Sequence, residues 1–328
     1  MDNIASIPLS IPASFPFCLG KKPVEKKLNP FSRIIFSLFF TMKKRLPKYY
    51  RAENPPLIRN FNFYIPLLAL LGEYRFLTSR QVLALSKTSR TNTLNKLQKL
   101  FHNGFVSRFV PAAAACVLEP RIIAHALSQK GQKLLFEADP LRWGDLYCPS
   151  LEISLEFVRH ELMISDFRIC LELALRKRKN ADLIFWAQGR KLSRLLKKQQ
   201  IAGAKIIPDG YFIIRNQKRE LHYFLEADRS TMTRKRFAEK IRRYRLFFQK
   251  NRASAPKFFR VLTIANSPTR AENLRQITIS NDTQAQKGSH RFWYGSETGY
   301  TLENPGKILK HILKIGHAEA ICKMSLLS

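Results

Sequence analysis

Two apolar runs, residues 206–214 and 221–228, are joined by the polar stretch RNQKRE, and this pattern constrains the fold more than any other. Runs of this length that are rich in Ile, Phe, Tyr and Leu are typical of strands, and the polar stretch is typical of a turn. The sequence therefore predicts a β-hairpin. Carboxylates occupy both runs, with Asp209 at the head of the first and Glu226 and Asp228 at the end of the second.

Further elements surround the hairpin in a regular order. The predicted elements are a long amphipathic helix over 151–179, strands at 183–188, 206–214 and 221–228, a helix at 232–250 and a strand at 258–265. This order of helix, three strands, helix and strand predicts an α/β domain over 150–280. The basic stretch 189–200 is interpreted as an insertion. Residues 281–328 are interpreted as a C-terminal extension with a strand at RFWYG and a short basic helix.

The preceding part of the chain has helical spacing. Leu67, Leu68, Leu71 and Tyr74 share one helix face, Thr78 or Ser79 can cap a second helix, and a third runs from Ser89 to about Asn103. The stretch FVSRFV predicts a strand, 121–128 its return strand, and 129–135 the start of another helix. This order predicts a winged helix-turn-helix domain over 61–145, and so an α+β chain of two domains.

The third helix carries the side chains best suited to reading DNA. The polar residues that lie largely away from its leucine stripe are Arg90, Thr91, Asn92, Asn95, Lys96 and Lys99. Arg and Asn read guanine and adenine edges, Lys anchors phosphates, and such a helix enters the major groove. Two alternatives stay open: an ordinary solvated face, and a winged helix that binds protein.

The charge of the chain favours a polyanionic partner. It has 57 Lys and Arg against 24 Asp and Glu, a formal charge of +33. Such a field concentrates polyanions, so double-stranded DNA is the predicted partner and an anionic membrane surface is the competitor. The helix at 232–250 is the most basic element, and its Arg236 and Arg243 are predicted to contact phosphates. No apolar run approaches the roughly 20 residues of a membrane span.

The remaining features place the chain in the cytoplasm. Its five cysteines are scattered without a CxxC pair, which predicts reduced thiols.

Residues 1–60 are interpreted as a basic, poorly ordered N-terminal extension, with Met42 as a candidate start. The sequence has neither an HxH pair nor a GxxxxGK[ST] loop, which argues against a histidine-metal relaxase and against ATP-driven work.

The order of elements and the carboxylates resemble the PD-(D/E)xK nuclease superfamily. The resemblance implies that Asp209, Glu226 and Asp228 hold Mg²⁺, which would activate water and stabilise charge on a phosphate. Asp228 occupies the position of the usual lysine. In some members the following helix supplies that lysine, so Lys240 is the first candidate and Lys235 the second. Glu161, Asp166 and His160 on the long helix are candidates to complete the cluster.

A closer resemblance covers residues 64–280. The segments RHELMISDFRICLEL, IIPDGYFII, HYFLEADRSTMTRKRFAEKIRRYRLFF and FFRVLTIANSPTRAENLR resemble the replication-relaxation family of bacterial plasmids and integrative elements. The matching residues are His160, Asp166, Pro208, Asp209, Glu226, Asp228, Arg229, Lys240, Tyr244 and Arg270. In that family the Glu-x-Asp ending is the usual form. The resemblance implies a role in plasmid replication, or in DNA relaxation and mobilisation.

The sequence thus predicts a site-directed DNA-binding protein of a plasmid or mobile element, with Mg²⁺-dependent nicking as its candidate activity. Asp209, Glu226, Asp228 and Lys240 are the candidate catalytic residues. The alternatives are a non-catalytic replication or recruitment factor, and a winged-helix transcriptional regulator. Plasmid replication or transfer proteins are candidate partners, and a homodimer is left open.

Overall fold

A computed structural model gives the fold of most of the chain. It describes residues 50–109, 123–144, 146–150, 152–199, 206–250, 259–281, 289–316 and 323–328. These residues belong to one compact unit, Lys48–Ser328. Most of the predicted N-terminal extension, with its candidate start at Met42, lies outside them. So does the tip between the strand and the return strand predicted around 105–128.

The first part of the unit combines helices with a small sheet. Its elements are α1 (Ile65–Tyr74), β1 (Leu77–Thr78), α2 (Ser79–Leu85), α3 (Arg90–His102), β2 (Val106–Phe109), β3 (Ala124–Leu127), α4 (Gln129–Ala138) and α5 (Pro140–Trp143). The three strands are antiparallel in the order β1-β3-β2. The three predicted helices, the strand and its return are therefore confirmed, with ends shifted by a few residues.

Local side-chain chemistry sets the ends of these helices. Thr78 accepts a hydrogen bond from the backbone of Gln81, and the Gln81 side chain accepts one from the backbone of Thr78, which forms a capping box at α2. Ser89 caps α3 by accepting a hydrogen bond from the backbone N–H of Asn92. Gly104 follows α3 with φ +82°, a conformation that glycine adopts without strain, so the chain turns sharply into β2.

A larger sheet forms the second part. Its elements are α6 (Leu155–Leu175), β4 (Ala181–Gln188), α7 (Gly189–Gln199), β5 (Gly210–Asn216), β6 (Arg219–Asp228), α8 (Arg234–Lys250), β7 (Phe259–Ala265), α9 (Pro268–Ser280), β8 (Phe292–Ser296), β9 (Leu313–Ile315) and β10 (Lys323–Met324). The strand order is β10-β9-β8-β7-β6-β5-β4. β4, β5 and β6 are antiparallel, β6, β7 and β8 are parallel, and the final pairs are antiparallel.

Three expectations from the sequence need correction. The first strand of the hairpin begins at Gly210 rather than 206, and its turn lies at Gln217 and Lys218. The stretch interpreted as an insertion forms α7, whose Leu192 and Leu196 are buried against the sheet. Residues 281–328 are not an appendage, because β8, β9 and β10 belong to the sheet, so the expected boundary at 280 divides it.

Helix α6 is buried by both parts of the unit. Phe167 and Leu171 pack with the strands of the large sheet, whereas Ile169 joins the core of α1, α3 and α4. Val158 packs with Phe76 and Phe109 beside the small sheet. A surface helix buries one stripe, whereas α6 is apolar on several sides because it has neighbours on several sides. None of the helices within the described ranges is long and apolar enough to cross a membrane.

The role of the C-terminal strands can be tested at Trp293. Its side chain on β8 is 2% exposed and meets the Tyr223 ring edge-on at 6.1 Å. We expect Trp293→Ala to lower the free energy of unfolding by about 3–5 kcal/mol, measured by urea denaturation. Leu141→Ala, at a fully exposed leucine, is the control. A change at Trp293 within about 0.5 kcal/mol would contradict this account of the C-terminal segment.

Candidate functional site

Asp209 immediately precedes β5, where that strand begins. Its backbone N–H donates to the Leu225 carbonyl at 3.0 Å, which continues the ladder between β5 and β6. Its Oδ2 accepts from the Ala227 backbone N–H at 2.8 Å, and His160 Nε2 on α6 lies 3.3 Å from the same oxygen. The carboxylate is therefore fixed between the end of β6 and α6.

Glu226 is the most deeply buried acid of the cluster, at 3% exposure on β6. It accepts hydrogen bonds from Lys240 and from the Tyr244 hydroxyl, both on α8. Burial raises the pKa of Glu226 to about 7, and the nearby Lys240 limits the rise. Burial lowers the pKa of Lys240, but Glu226 and Asp209 more than offset this and raise it. The lysine predicted to come from the following helix does reach this carboxylate.

Asp228 forms a separate pair. Arg270 on α9 donates to both of its oxygens, through Nε at 2.7 Å and Nη2 at 3.1 Å. The Ser230 backbone N–H donates to Asp228 Oδ1 at 2.8 Å. Glu226 and Asp228 both contact the helices on one face of the sheet, as strand alternation predicts. They pair with different cationic side chains, Lys240 on α8 and Arg270 on α9.

His160 and Glu161 extend the network toward the first part of the unit. Burial opposes protonation of His160, but the hydrogen bond and charge of Asp209 raise its pKa. Its Nε2 also lies 3.1 Å from the Ala227 carbonyl. Glu161, 4% exposed, accepts from Arg75 Nη1 at 2.8 Å. Burial raises the pKa of Glu161, and Arg75 opposes that shift.

Two further candidates lie outside the cluster. Asp166 faces Gln81 and Arg80 on α2, and its pKa is raised by burial while these groups lower it. Lys235 is exposed on α8. Arg75 is the contributor that the sequence analysis missed, because its partner is 86 residues away and no local motif signals the contact.

The carboxylates do not fit a shared magnesium ion in this arrangement. Lys240 and Tyr244 bind Glu226, and a bidentate arginine holds Asp228. Asp209 has His160 and a backbone N–H as partners. Mg²⁺ needs free oxygen ligands at near-octahedral geometry. Over the part of the chain that the structure describes, no three His, Cys, Asp or Glu side chains are grouped to hold a metal. Mg²⁺ binding stays a prediction.

A cleft lies beside the basic side of α8. This cleft of about 510 Å³ is lined by Lys240, Tyr244, Arg236 and Arg243, among others. Arg236 is exposed, and Arg243 Nε lies 3.1 Å from Glu239. The arginines predicted to contact phosphates therefore share this cleft with Lys240 and Tyr244, the two hydrogen-bond partners of Glu226.

Helix α3 presents most of its predicted DNA-contacting residues to solvent. Arg90, Thr91, Asn92 and Asn95 are exposed, whereas Lys96 and Lys99 are half-buried. Thr93 is buried, and its hydroxyl bonds those of Ser86 and Thr88 at 3.0 and 2.8 Å. These hydroxyl contacts hold the start of α3 against the preceding turn.

The buried pair at Glu226 predicts a pH-dependent stability defect. Lys240→Met leaves Glu226 buried without its cation, so its folded-state pKa should rise above about 7. A carboxyl with a raised folded pKa contributes stability below its unfolded pKa and loses it as pH rises through the folded value. We expect the free energy of unfolding of this variant to be roughly 3 kcal/mol lower than that of wild type at pH 8, because a buried ion pair has been broken. The deficit should be much smaller at pH 5.

Lys235→Met, at the exposed lysine on the same helix, is the matched control and should unfold like wild type at both pH values. A Lys240→Met deficit that is equal at pH 5 and pH 8 in thermal or urea unfolding would show that Glu226 is not the group responsible.

Comparison with known proteins identifies the family. The model of the replication-relaxation family matches residues 68–262, more than half of the chain. No curated protein matches the chain, and no solved structure does. The match spans helix α3, the hairpin of β5 and β6 with its carboxylates, and the whole of α8. The resemblance noted in the sequence is thereby confirmed, and the chain belongs to the replication-relaxation family.

Proposed function

We propose that this protein binds duplex DNA in the replication or relaxation of a bacterial plasmid or other mobile element. Family membership supports the context, and a charge of +33 on 328 residues supports a polyanionic partner. The observation that carries the proposal is the exposed polar side of α3. It presents Arg90, Asn92 and Asn95 away from the buried Leu97 and Leu100.

The order of elements supports a winged helix-turn-helix for the first part. Three helices are followed by β2 and β3, with β1 pairing on the far side of β3. In that architecture the third helix lies in the major groove and its first half contacts base edges. The exposed Arg90, Thr91, Asn92 and Asn95 lie in that first half.

The order α6-β4-β5-β6-α8-β7, apart from the intervening α7, supports a nuclease-like arrangement for the second part. Asp209 and Glu226 lie at one edge of adjacent strands, as they do in PD-(D/E)xK enzymes. We propose that this part docks on DNA through Arg236 and Arg243 on α8. Because Glu226 and Asp228 are already neutralised by the chain's own cations, the geometry best supports a non-catalytic binding role.

Mg²⁺-dependent nicking is the second candidate. The observation in its favour is the approach of Lys240 to Glu226 and Asp209, because a lysine beside two carboxylates is the set that the superfamily uses. Asp209, Glu226, Asp228 and Lys240 are its proposed residues. A third candidate, a transcriptional regulator, predicts protection of the protein's own promoter rather than of an origin or transfer region.

The DNA contact of α3 can be tested by substitution. We expect Arg90→Ala with Asn92→Ala to weaken binding to a footprinted site from the DNA neighbouring the gene by roughly 10- to 100-fold. Binding to unrelated duplex should change much less, since phosphate contacts elsewhere persist. Gln98→Ala, at an exposed position farther along α3, is the control. Equal losses on both DNAs would mean that these residues do not read bases.

Nicking can be tested on supercoiled plasmid carrying the same neighbouring DNA, with Mg²⁺ or Mn²⁺. We expect wild type and Asp209→Ala to bind this DNA and to leave it supercoiled, because the carboxylates hold the chain's own cations. Open circles formed by wild type but not by Asp209→Ala would make the carboxylates catalytic. The non-catalytic proposal would then be overturned in favour of the second candidate.

A further inference from the structure

A second cleft, to which α3 contributes no lining residue, runs along the edge of the large sheet. Its volume is about 960 Å³, and it is bounded by α1, α5, α6, β4 and the start of α7. Five consecutive residues of β4, 182–186, line it. Because successive side chains on a strand point to opposite faces, a cleft that touches all five follows the edge of the strand rather than one face.

That edge has no strand on its outer side within the described ranges. β4 is the last strand in the sheet order, and β5 is its only strand partner within the described ranges. The outer backbone groups of an edge strand are a template for a further strand. Two side-chain donors in the cleft also lack acceptors in the described part of the chain, namely Gln188 Nε2 and Arg75 Nε. Trp186 Nε1 donates to Gln188 Oε1 at 2.7 Å, which fixes the orientation of that amide.

The cleft has a surplus of positive charge. Its lining has six cationic side chains against three acidic ones, a difference of three. Glu73 and Glu172 form ion pairs with arginines of the lining. No carboxylate of the described residues pairs with Arg190 or Lys191 at the start of α7. Arg75 is paired with Glu161 outside the lining. Within the described ranges, the cations of the lining without a carboxylate partner are therefore Arg190 and Lys191, just after the end of β4.

The aromatic rings of the cleft favour a peptide over a nucleic acid. Single-stranded nucleic acid binds such grooves by stacking bases on open rings. Here cations already lie over the rings: Arg75 over Tyr147 at 4.0 Å, Arg142 over Trp143 at 4.5 Å, Arg168 over Trp186 at 5.3 Å and Lys191 over Phe185 at 5.0 Å. A second copy of the chain would bring two positive clefts together, which like-charge repulsion disfavours.

We propose that this cleft binds an extended acidic segment of a partner protein, which pairs with the outer edge of β4 as an additional strand. Main-chain hydrogen bonds would supply affinity, as in other cases of strand addition. Arg190 and Lys191 would select acidic side chains. The inference is independent of DNA cleavage and of the α3 contact.

The test uses the full chain and fluorescence anisotropy with labelled eight-residue peptides that alternate Glu with Val, Leu or Phe. We expect at least one to bind, and Arg190→Glu with Lys191→Glu to weaken it about tenfold or more. Lys307→Glu with Lys310→Glu makes the same change of net charge at exposed positions outside the cleft and should leave affinity within about twofold. Bound peptide should slow amide hydrogen exchange in 181–188.

Four results would overturn the proposal, and the last is a dimer that forms through this cleft. The first is failure of every peptide to bind at about 1 mM. The second is an equal loss in both double variants, which would indicate only bulk charge attraction. The third is loss of single-stranded oligonucleotide binding in the Arg190 and Lys191 variant while peptide binding persists, which would make the cleft a nucleic-acid site. A concentration-dependent dimer abolished by the same variant would identify a second copy as the occupant.

Discussion

The packing of α6 between the two sheets is the interaction on which the rest of the structure depends. Its apolar residues belong to separate clusters of the core, with Phe167 toward the large sheet and Ile169 toward α1 and α3. Hydrogen bonds also fix the orientation of α6 against its neighbours. Ser165 Oγ donates to the Phe76 carbonyl at 3.0 Å, and Gln81 Nε2 to the Leu162 carbonyl at 3.1 Å. A helix bound in this way fixes α3 relative to the carboxylate cluster.

The same helix explains the electrostatics of the cluster. Glu161 brings a carboxylate into the interior, where an unpaired ion is costly, and the half-buried His160 lies beside it on α6. Each is compensated by a group from another element, Arg75 for Glu161 and Asp209 for His160. Glu226 and Asp228 follow the same rule with lysine and arginine. A set of buried acids can resemble a metal site in sequence and still be a network of ion pairs that stabilises the fold.

Local patterns in the sequence predicted much of this structure. The hairpin and α8 followed from the apolar runs and from the helical stripe, whereas Lys240 was only the first of two candidates to reach the carboxylates. Contacts between distant segments could not be predicted, and Arg75 with Glu161 is the clearest case. The sequence did not predict β9 and β10, because strands of three and two residues are too short to show an alternating hydrophobic pattern. The ion pairs of Glu226 with Lys240 and of Asp228 with Arg270 became evident only from the packing of α8 and α9 on the sheet.

DNA binding is the central property that we propose for this protein, and a salt titration tests it most directly. The full chain would be titrated against duplex from the DNA neighbouring its gene and against unrelated duplex, over a range of salt concentrations. Engagement of six phosphates predicts that affinity falls by roughly 10³ between 50 and 200 mM salt, while the neighbouring DNA remains preferred. Binding that is insensitive to salt, or equal for both duplexes at every concentration, would contradict the account.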